Sequence, residues 1–267
     1  IVALNARTGD YVWHYQTTPG DAWNLEPVMP NVLTDLTIDG EKHRVLMQAP
    51  KNGFFYVLDA KNGKLLNKPQ AFSRLNWAKE IDFKTGRPVM NPEAEYWKKP
   101  EGALVYPSPI GAHNWNPMSW DPVNQLVYIP TMELPAKMSI DRTVSSFGGQ
   151  LNLDMLIGAP TSKFPLVAWD PVKQTKRWET KGTVRGAGGV LSTAGNLVFQ
   201  GTSDGHLLAY TADTGNKVWD VTLGSAVVAP PITYELDGKQ YVSVLAGWGG
   251  ASALFGGNPS EIGRAHV

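Results

Sequence analysis

The chain has 267 residues, no cysteine, and 24 basic against 24 acidic side chains. Balanced charge leaves no electrostatic footprint for nucleic acid, no run reaches the roughly 18 apolar residues of a membrane helix, and zero cysteine excludes disulfides, thiolate nucleophiles and Cys-based zinc sites. With 27 glycines, 20 prolines and 42% apolar residues, the composition predicts many tight turns around a real core rather than long helices or disorder.

The chain opens on Ile1-Val2-Ala3-Leu4, which reads as a strand. A turn and a closing tryptophan follow, in Asn5-Ala6-Arg7-Thr8-Gly9-Asp10-Tyr11-Val12-Trp13. Alternating residues Arg44-Val45-Leu46-Met47-Gln48 read as another strand, and Val57 to Asn67 repeats the first pattern with Asp59 and Gly63 but no tryptophan. Segment 70–101 is the least regular. An irregular unit runs through Met118-Ser119-Trp120-Asp121-Pro122-Val123-Asn124-Gln125-Leu126-Val127-Tyr128, and 131–165 reads as a long excursion between strands. Further copies start at Ala168, with Gln174 in the glycine place, and at Ala209, ending on Trp178 and Trp219. A last alternating run is Tyr241-Val242-Ser243-Val244-Leu245. Residues 262–267, Ile-Gly-Arg-Ala-His-Val, read like a translated sequencing adapter, so the native sequence is expected to stop near Glu261 and His266 to carry no function.

Each copy has one physical reading. The Asn/Asp-x-x-Thr-Gly portion is a turn whose side chain bonds nearby backbone N–H groups while glycine takes a positive φ. The closing tryptophan is expected to dock between neighbouring units. Repeats of roughly 40–50 residues with several strands each are the mark of a β-propeller. The expected fold is therefore all-β.

The repeat resembles the tryptophan-docking motif of pyrroloquinoline quinone (PQQ)-dependent alcohol dehydrogenases, which are eight-bladed propellers. Further stretches resemble that family in its order: Tyr15-Gln16-Thr17-Thr18-Pro19-Gly20-Asp21-Ala22-Trp23, Gln48 to Asp59, Gly111-Ala112-His113-Asn114-Trp115-Asn116-Pro117-Met118, Thr193 to Thr202, and Leu245-Ala246-Gly247-Trp248-Gly249-Gly250-Ala251. The resemblance implies a partial propeller of about five blades over 1–257, the C-terminal half or so of the whole, and the adapter-like ending marks 258–267 as a tail expected to be non-native. Alone, such a piece is expected to be inactive and to expose blade edges that aggregate.

The resemblance also implies a chemistry. In the family a hydride passes from an alcohol carbon to PQQ, a carboxylate takes the hydroxyl proton, a calcium ion or lanthanide polarises the quinone, and a cation stabilises the developing charge. Lys51 stands at the cation position, although a lone lysine in a Pro-Lys-Asn-Gly turn also reads as solvated. Asn114, beside Trp115, stands where an amide contacts the cofactor. His113 reads as part of a polar turn. Trp248 and Gly249 stand in a last loop where glycine allows close backbone approach to a flat ligand, and Trp248 reads equally well as core. The family's catalytic and metal-binding aspartate position is Asn24 here, and an amide takes no proton at neutral pH. Glu26, two residues on and on the same side of an extended segment held by Pro27, is the expected substitute as base and metal ligand. Asp21 is expected to cap its own turn. Gly186-Ala187 stand where relatives place a tryptophan or asparagine against the cofactor.

Two functions follow. One is part of a PQQ-dependent alcohol dehydrogenase that works in the periplasm on a small alcohol and passes electrons to cytochrome c or membrane quinone. The other is a non-catalytic propeller of the same descent, a binding or scaffold module, favoured by Asn24 and Gly186-Ala187.

Overall fold

The computed structural model describes residues 1–141, 150–156, 160–182 and 188–247. Among them the regular structure is antiparallel strand, with two short 3-10 turns at Pro92–Ala94 and Tyr96–Lys98. No helix there is long and apolar enough to cross a membrane. The chain forms two compact units. The first holds 1–114, 132–162 and 171–175, and the second holds 115–131, 163–170 and 176–267.

Three four-stranded sheets have the simple neighbour order of a propeller blade. One runs Val32–Ile38, Glu41–Gln48, Phe54–Asp59 and Gln70–Ala71. Another runs Ser119–Asp121, Leu126–Pro130, Leu166–Asp170 and Thr175–Glu179, and a third runs Val190–Thr193, Leu197–Gly201, His206–Thr211 and Lys217–Thr222. The excursion between Pro130 and Leu166 is itself folded. Its strands Ala136–Asp141 and Gln150–Met155 pair, and the first also pairs with Ala103–Val105. Hairpins Val2–Leu4/Tyr11–His14 and Ile232–Leu236/Lys239–Ser243 are two-stranded.

The repeat closes in one geometry. In the first turn Gly9 N donates to Asn5 O and Asn5 N to Asp10 O, both at 2.8 Å, and the same two bonds recur at 59–64 and 211–216. They recur a fourth time at 82–87, between Ala78–Ile81 and Pro88–Met90, inside the stretch that sequence reads as irregular. That copy is hidden because Met90 stands where tryptophan would and Glu80 where alanine would. Gln125 and Gln174, at the glycine place of their copies, both take φ +55°.

Trp13 and Trp178 dock on the next copy, whereas Trp219 is 47% exposed. Trp13 Nε1 donates to Ala60 O at 3.0 Å, and its ring covers Gly63, where a Cβ would sit 2.5 Å from Trp13 Cε3. Trp178 repeats this on Ala212 O at 3.0 Å and on Gly215, where a Cβ would sit 2.6 Å from the ring. Tyr15 plays the part on the hidden copy, donating its hydroxyl to Gly86 O at 2.8 Å. The core of the first unit gathers Trp23, Leu25, Phe54, Tyr56, Trp77 and Ile81, and that of the second gathers Tyr128, Leu166, Val190, Val198 and Tyr210.

Candidate functional site

Asp21 builds the first wall of the site. Its Oδ1 accepts from Trp23 N at 2.9 Å and its Oδ2 from Leu25 N at 2.6 Å, so it caps its turn as expected. Burial pushes its carboxyl above the ordinary range against the pull of those two N–H groups, and the Glu26 carboxylate adds to the rise. Trp23 and Leu25, both fully buried, anchor the turn on either side of Asn24. Trp23 donates from Nε1 to Ala94 O at 2.8 Å and packs on Trp97, with ring centroids 5.0 Å apart.

Asn24 is not extended, as the spacing argument for Glu26 requires. It takes φ +64°, a left-handed conformation that asparagine tolerates better than most residues. The capped turn, rather than strand alternation, is what brings residues 24 and 26 together.

Lys51 sits opposite and is 5% exposed, so it is not the solvated turn lysine of the alternative reading. Its Nζ donates to Asn24 O at 3.1 Å and to Glu26 Oε1 at 2.6 Å. The partners assign the Asn24 amide: Nδ2 donates to Glu26 Oε2 at 2.9 Å and Oδ1 accepts from Lys51 Nζ at 3.3 Å. The opposite orientation keeps only a 3.3 Å bond from Nδ2 to Pro109 O and sets Oδ1 against the carboxylate and Nδ2 against the ammonium. An amide oxygen and a carboxylate are hard oxygen donors of the kind that calcium or a lanthanide takes. Among the described residues no cluster of three or more His, Asp and Glu forms a metal site. These two donors therefore fit as part of a shell and not as a whole one.

Two neighbours hold Lys51 in place. Asn52, fully buried, donates from Nδ2 to Thr17 O at 3.1 Å and to Tyr56 Oη at 2.9 Å, and its Oδ1 accepts from Phe54 N at 3.0 Å. It ties the Lys51 turn to the segment leading into Asp21. His113 is fully buried and Nδ1 lies 2.6 Å from Ala49 O. A carbonyl only accepts, so Nδ1 carries the proton. Sequence reasoning passed over Asn52 and read His113 as a bland turn residue. The Asn-Gly step opening a strand is the one signal that pointed to Asn52.

Asn114 donates from Nδ2 to Ile110 O at 2.7 Å, which closes the loop that carries it. It ends the first stretch of the first unit, and Trp115, 39% exposed, opens the second unit. Trp248, Gly249, Gly186 and Ala187 lie outside the described residues, as does the 258–267 tail.

The family described as "PQQ: Glucose/ethanol/alcohol dehydrogenase, beta-propeller domain" matches residues 1–71 and 168–242. Quinohemoprotein alcohol dehydrogenase ADH-IIG of Pseudomonas putida is 46% identical over 96% of the chain, which spans 38% of that relative's length. Its solved structure superposes on 94% of the chain with a TM-score of 0.88. The 1-butanol dehydrogenase (cytochrome c) of Thauera butanivorans is 41% identical, again over 96% of the chain and 38% of its own length. A europium-containing methanol dehydrogenase superposes with a TM-score of 0.80 at 32% identity, covering 92% of the chain and 44% of its own.

Proposed function

The chain belongs to the PQQ-dependent glucose/ethanol/alcohol dehydrogenase β-propeller family, and from that membership we propose that the protein of which it spans a part oxidises a small alcohol. When bound, PQQ supplies the hydride acceptor, and calcium or a lanthanide supplies a Lewis acid. The chain's own residues do the rest. The Glu26 carboxylate takes the alcohol's hydroxyl proton, the electron pair of that O–H bond forms the new carbonyl π bond, and the carbon's hydride leaves with its electron pair. Lys51 presents a buried ammonium, a stabiliser of developing oxygen charge. Asn24 holds Lys51 through its backbone carbonyl and offers its amide to Glu26 or to the metal. Asn114, Trp115, Trp248 and Gly249 are the further cofactor contacts that the family likeness suggests.

The observation that carries this reading is the Lys51–Glu26 contact of 2.6 Å, with Lys51 nearly buried. Burying a lysine costs several kcal/mol unless a charged partner and hydrogen bonds offset it. The reduced site is expected to hand electrons to a cytochrome c, as the Thauera relative's name states of that protein, or to membrane quinone, in the periplasm. One observation favours a non-catalytic propeller instead: an amide stands at residue 24, and the nearest carboxylate is already engaged by Lys51.

Alcohol oxidation by the full-length protein, loaded with PQQ and either calcium or a lanthanide, decides between them. Loss of about 10²–10⁴ in kcat in Glu26→Gln, with protein folded, is the expected result, the scale of a positioned base. Activity that appears only in Asn24→Asp would assign the natural protein to the binding modules.

A further inference from the structure

The loop 108–114 lies on the Lys51 turn along its backbone. Ala112 N donates to Lys51 O at 2.8 Å, and His113 Nδ1 meets Ala49 O at 2.6 Å. Gly111 N donates to Ser108 O at 2.7 Å and Met132 N to Ala112 O at 2.7 Å, so the loop is itself held from both sides. Between those bonds sits Gly111, at φ +93°. A Cβ there would overlap Lys51 Cγ, lie 2.6 Å from Lys51 Cβ and 2.8 Å from His113 O. Carbon atoms in contact keep about 3.5–4.0 Å. Neither the Lys51 backbone, bonded to Ala112, nor the loop is free to give way. The lysine stem therefore fills the space that the missing side chain leaves.

A lysine has four rotatable bonds and normally spends that freedom in water. Here the stem is packed against loop backbone, and the head donates to Glu26 Oε1 at 2.6 Å, to Asn24 O at 3.1 Å and to Asn24 Oδ1 at 3.3 Å. An ammonium held still before its ligand arrives donates more effectively than one that must be ordered on binding.

We propose that Gly111 is a positioning residue of the site, which acts through Lys51: its bare backbone presses the lysine stem into the one rotamer that aims Nζ at Glu26 and at the cofactor. This rests on the reading of Lys51 as the cofactor's cation. A glycine needed only for its positive φ would be a fold residue, and that alternative makes a different prediction. Backbone strain costs stability wherever Lys51 points, whereas loss of the clamp costs cofactor affinity only while the ammonium is present.

The test is PQQ affinity, measured on the full-length apo-protein with calcium by quenching of tryptophan fluorescence, in a double-mutant cycle. Lys51→Ala is expected to weaken PQQ binding about tenfold or more, the scale of one charge-assisted hydrogen bond. Gly111→Ala is expected to weaken it by about the same factor in the parent and by less than about twofold in the Lys51→Ala background. Equal losses in both backgrounds would overturn the proposal while leaving the reading of Lys51 intact. Unchanged affinity in Lys51→Ala would overturn that reading and the proposal with it. Should Gly111→Ala not fold, His113→Ala loosens the same loop, and His113→Asn, whose Nδ2 stands near the place of the histidine Nδ1, restores the bond to Ala49. Affinity lost in the first and regained in the second, only with Lys51 present, supports the clamp. Affinity unaltered in both overturns it.

Discussion

Asn52 shows how a buried polar side chain earns its place. Its side chain bonds Thr17, Tyr56 and Phe54 at once, and its backbone carbonyl accepts from Trp77 Nε1 at 2.7 Å. Asn52→Ala takes the acceptor from the buried Phe54 N and one bond each from Thr17 O and Tyr56 Oη, which keep their own 3.2 Å bond, and is expected to cost about 1–3 kcal/mol of stability, which equilibrium denaturation of the full-length protein would read. Its neighbour Lys51 should then lose order as well, so cofactor affinity is expected to fall together with stability. The buried tyrosines set a second residue-scale expectation. Burial, helped by the Asp220 charge, pushes the Tyr210 hydroxyl up to about 12. Burial raises Tyr15, Tyr56 and Tyr128 as well. A tyrosine with a folded pKa above its unfolded one holds its proton longer in the folded state. Its contribution to stability is whole below the unfolded value of about 10 and is lost as pH rises from there. For Tyr210 the window is 10 to about 12. The unfolding constant is expected to rise there by up to about tenfold per pH unit for each such group, and Tyr210→Phe should flatten the slope by about one proton. A slope unchanged by that substitution would refute the assignment.

At the scale of the element, the repeat turn and its docked aromatic work as one joint. Gly63 and Gly215 meet two demands, a positive φ and a tryptophan ring that leaves no room for a Cβ. Gly9 meets only the first, since nothing lies within 4 Å of where its Cβ would be. Gly9→Ala is therefore expected to cost about 1 kcal/mol from backbone strain alone. Gly63→Ala should cost about 2–4 kcal/mol, because overpacking adds to the strain. Thermal melts of the two variants side by side would check the ranking, and equal losses would mean that the ring yields at little cost. The hidden copy at 82–87 keeps the Asp82-x-x-Thr85-Gly86 turn and lacks only the alanine and the closing tryptophan of the repeat, and Tyr15 covers its glycine in place of tryptophan. The excursion strands Ala136–Asp141 and Gln150–Met155 instead extend the sheet begun by Ala103–Val105.

At the scale of the molecule, the chain spans 38% of the length of the Pseudomonas and Thauera relatives, and two of its hairpins carry exposed apolar residues. Val2, Leu4, Tyr11 and Val12 on one, and Ile232, Tyr234 and Leu236 on the other, are each at least 47% exposed. Two-stranded hairpins with open edges are templates for pairing with other chains. The isolated 267-residue chain is expected to self-associate in light scattering and to bind PQQ poorly, and a soluble monomer with tight PQQ binding would refute this. Local chemistry was legible without coordinates. The Asn/Asp-x-x-Thr-Gly turns follow from side chains that bond their own backbone and glycines that accept positive φ, so the all-β blade pattern, the docking tryptophans and the cap at Asp21 could be read from residue order. Lys51, Asn24 and Glu26 could be singled out because their stretches match a family's motifs. Only the tertiary structure decided how those three meet. The left-handed Asn24 is set by two buried anchors on either side of it. The burial of Lys51 and the support from Asn52, His113 and Gly111 come from loops about 30 to 60 residues apart in the chain. Turn propensity acts over a few neighbouring residues, whereas burial and aim depend on which distant backbone closes over a side chain, and no local pattern records that.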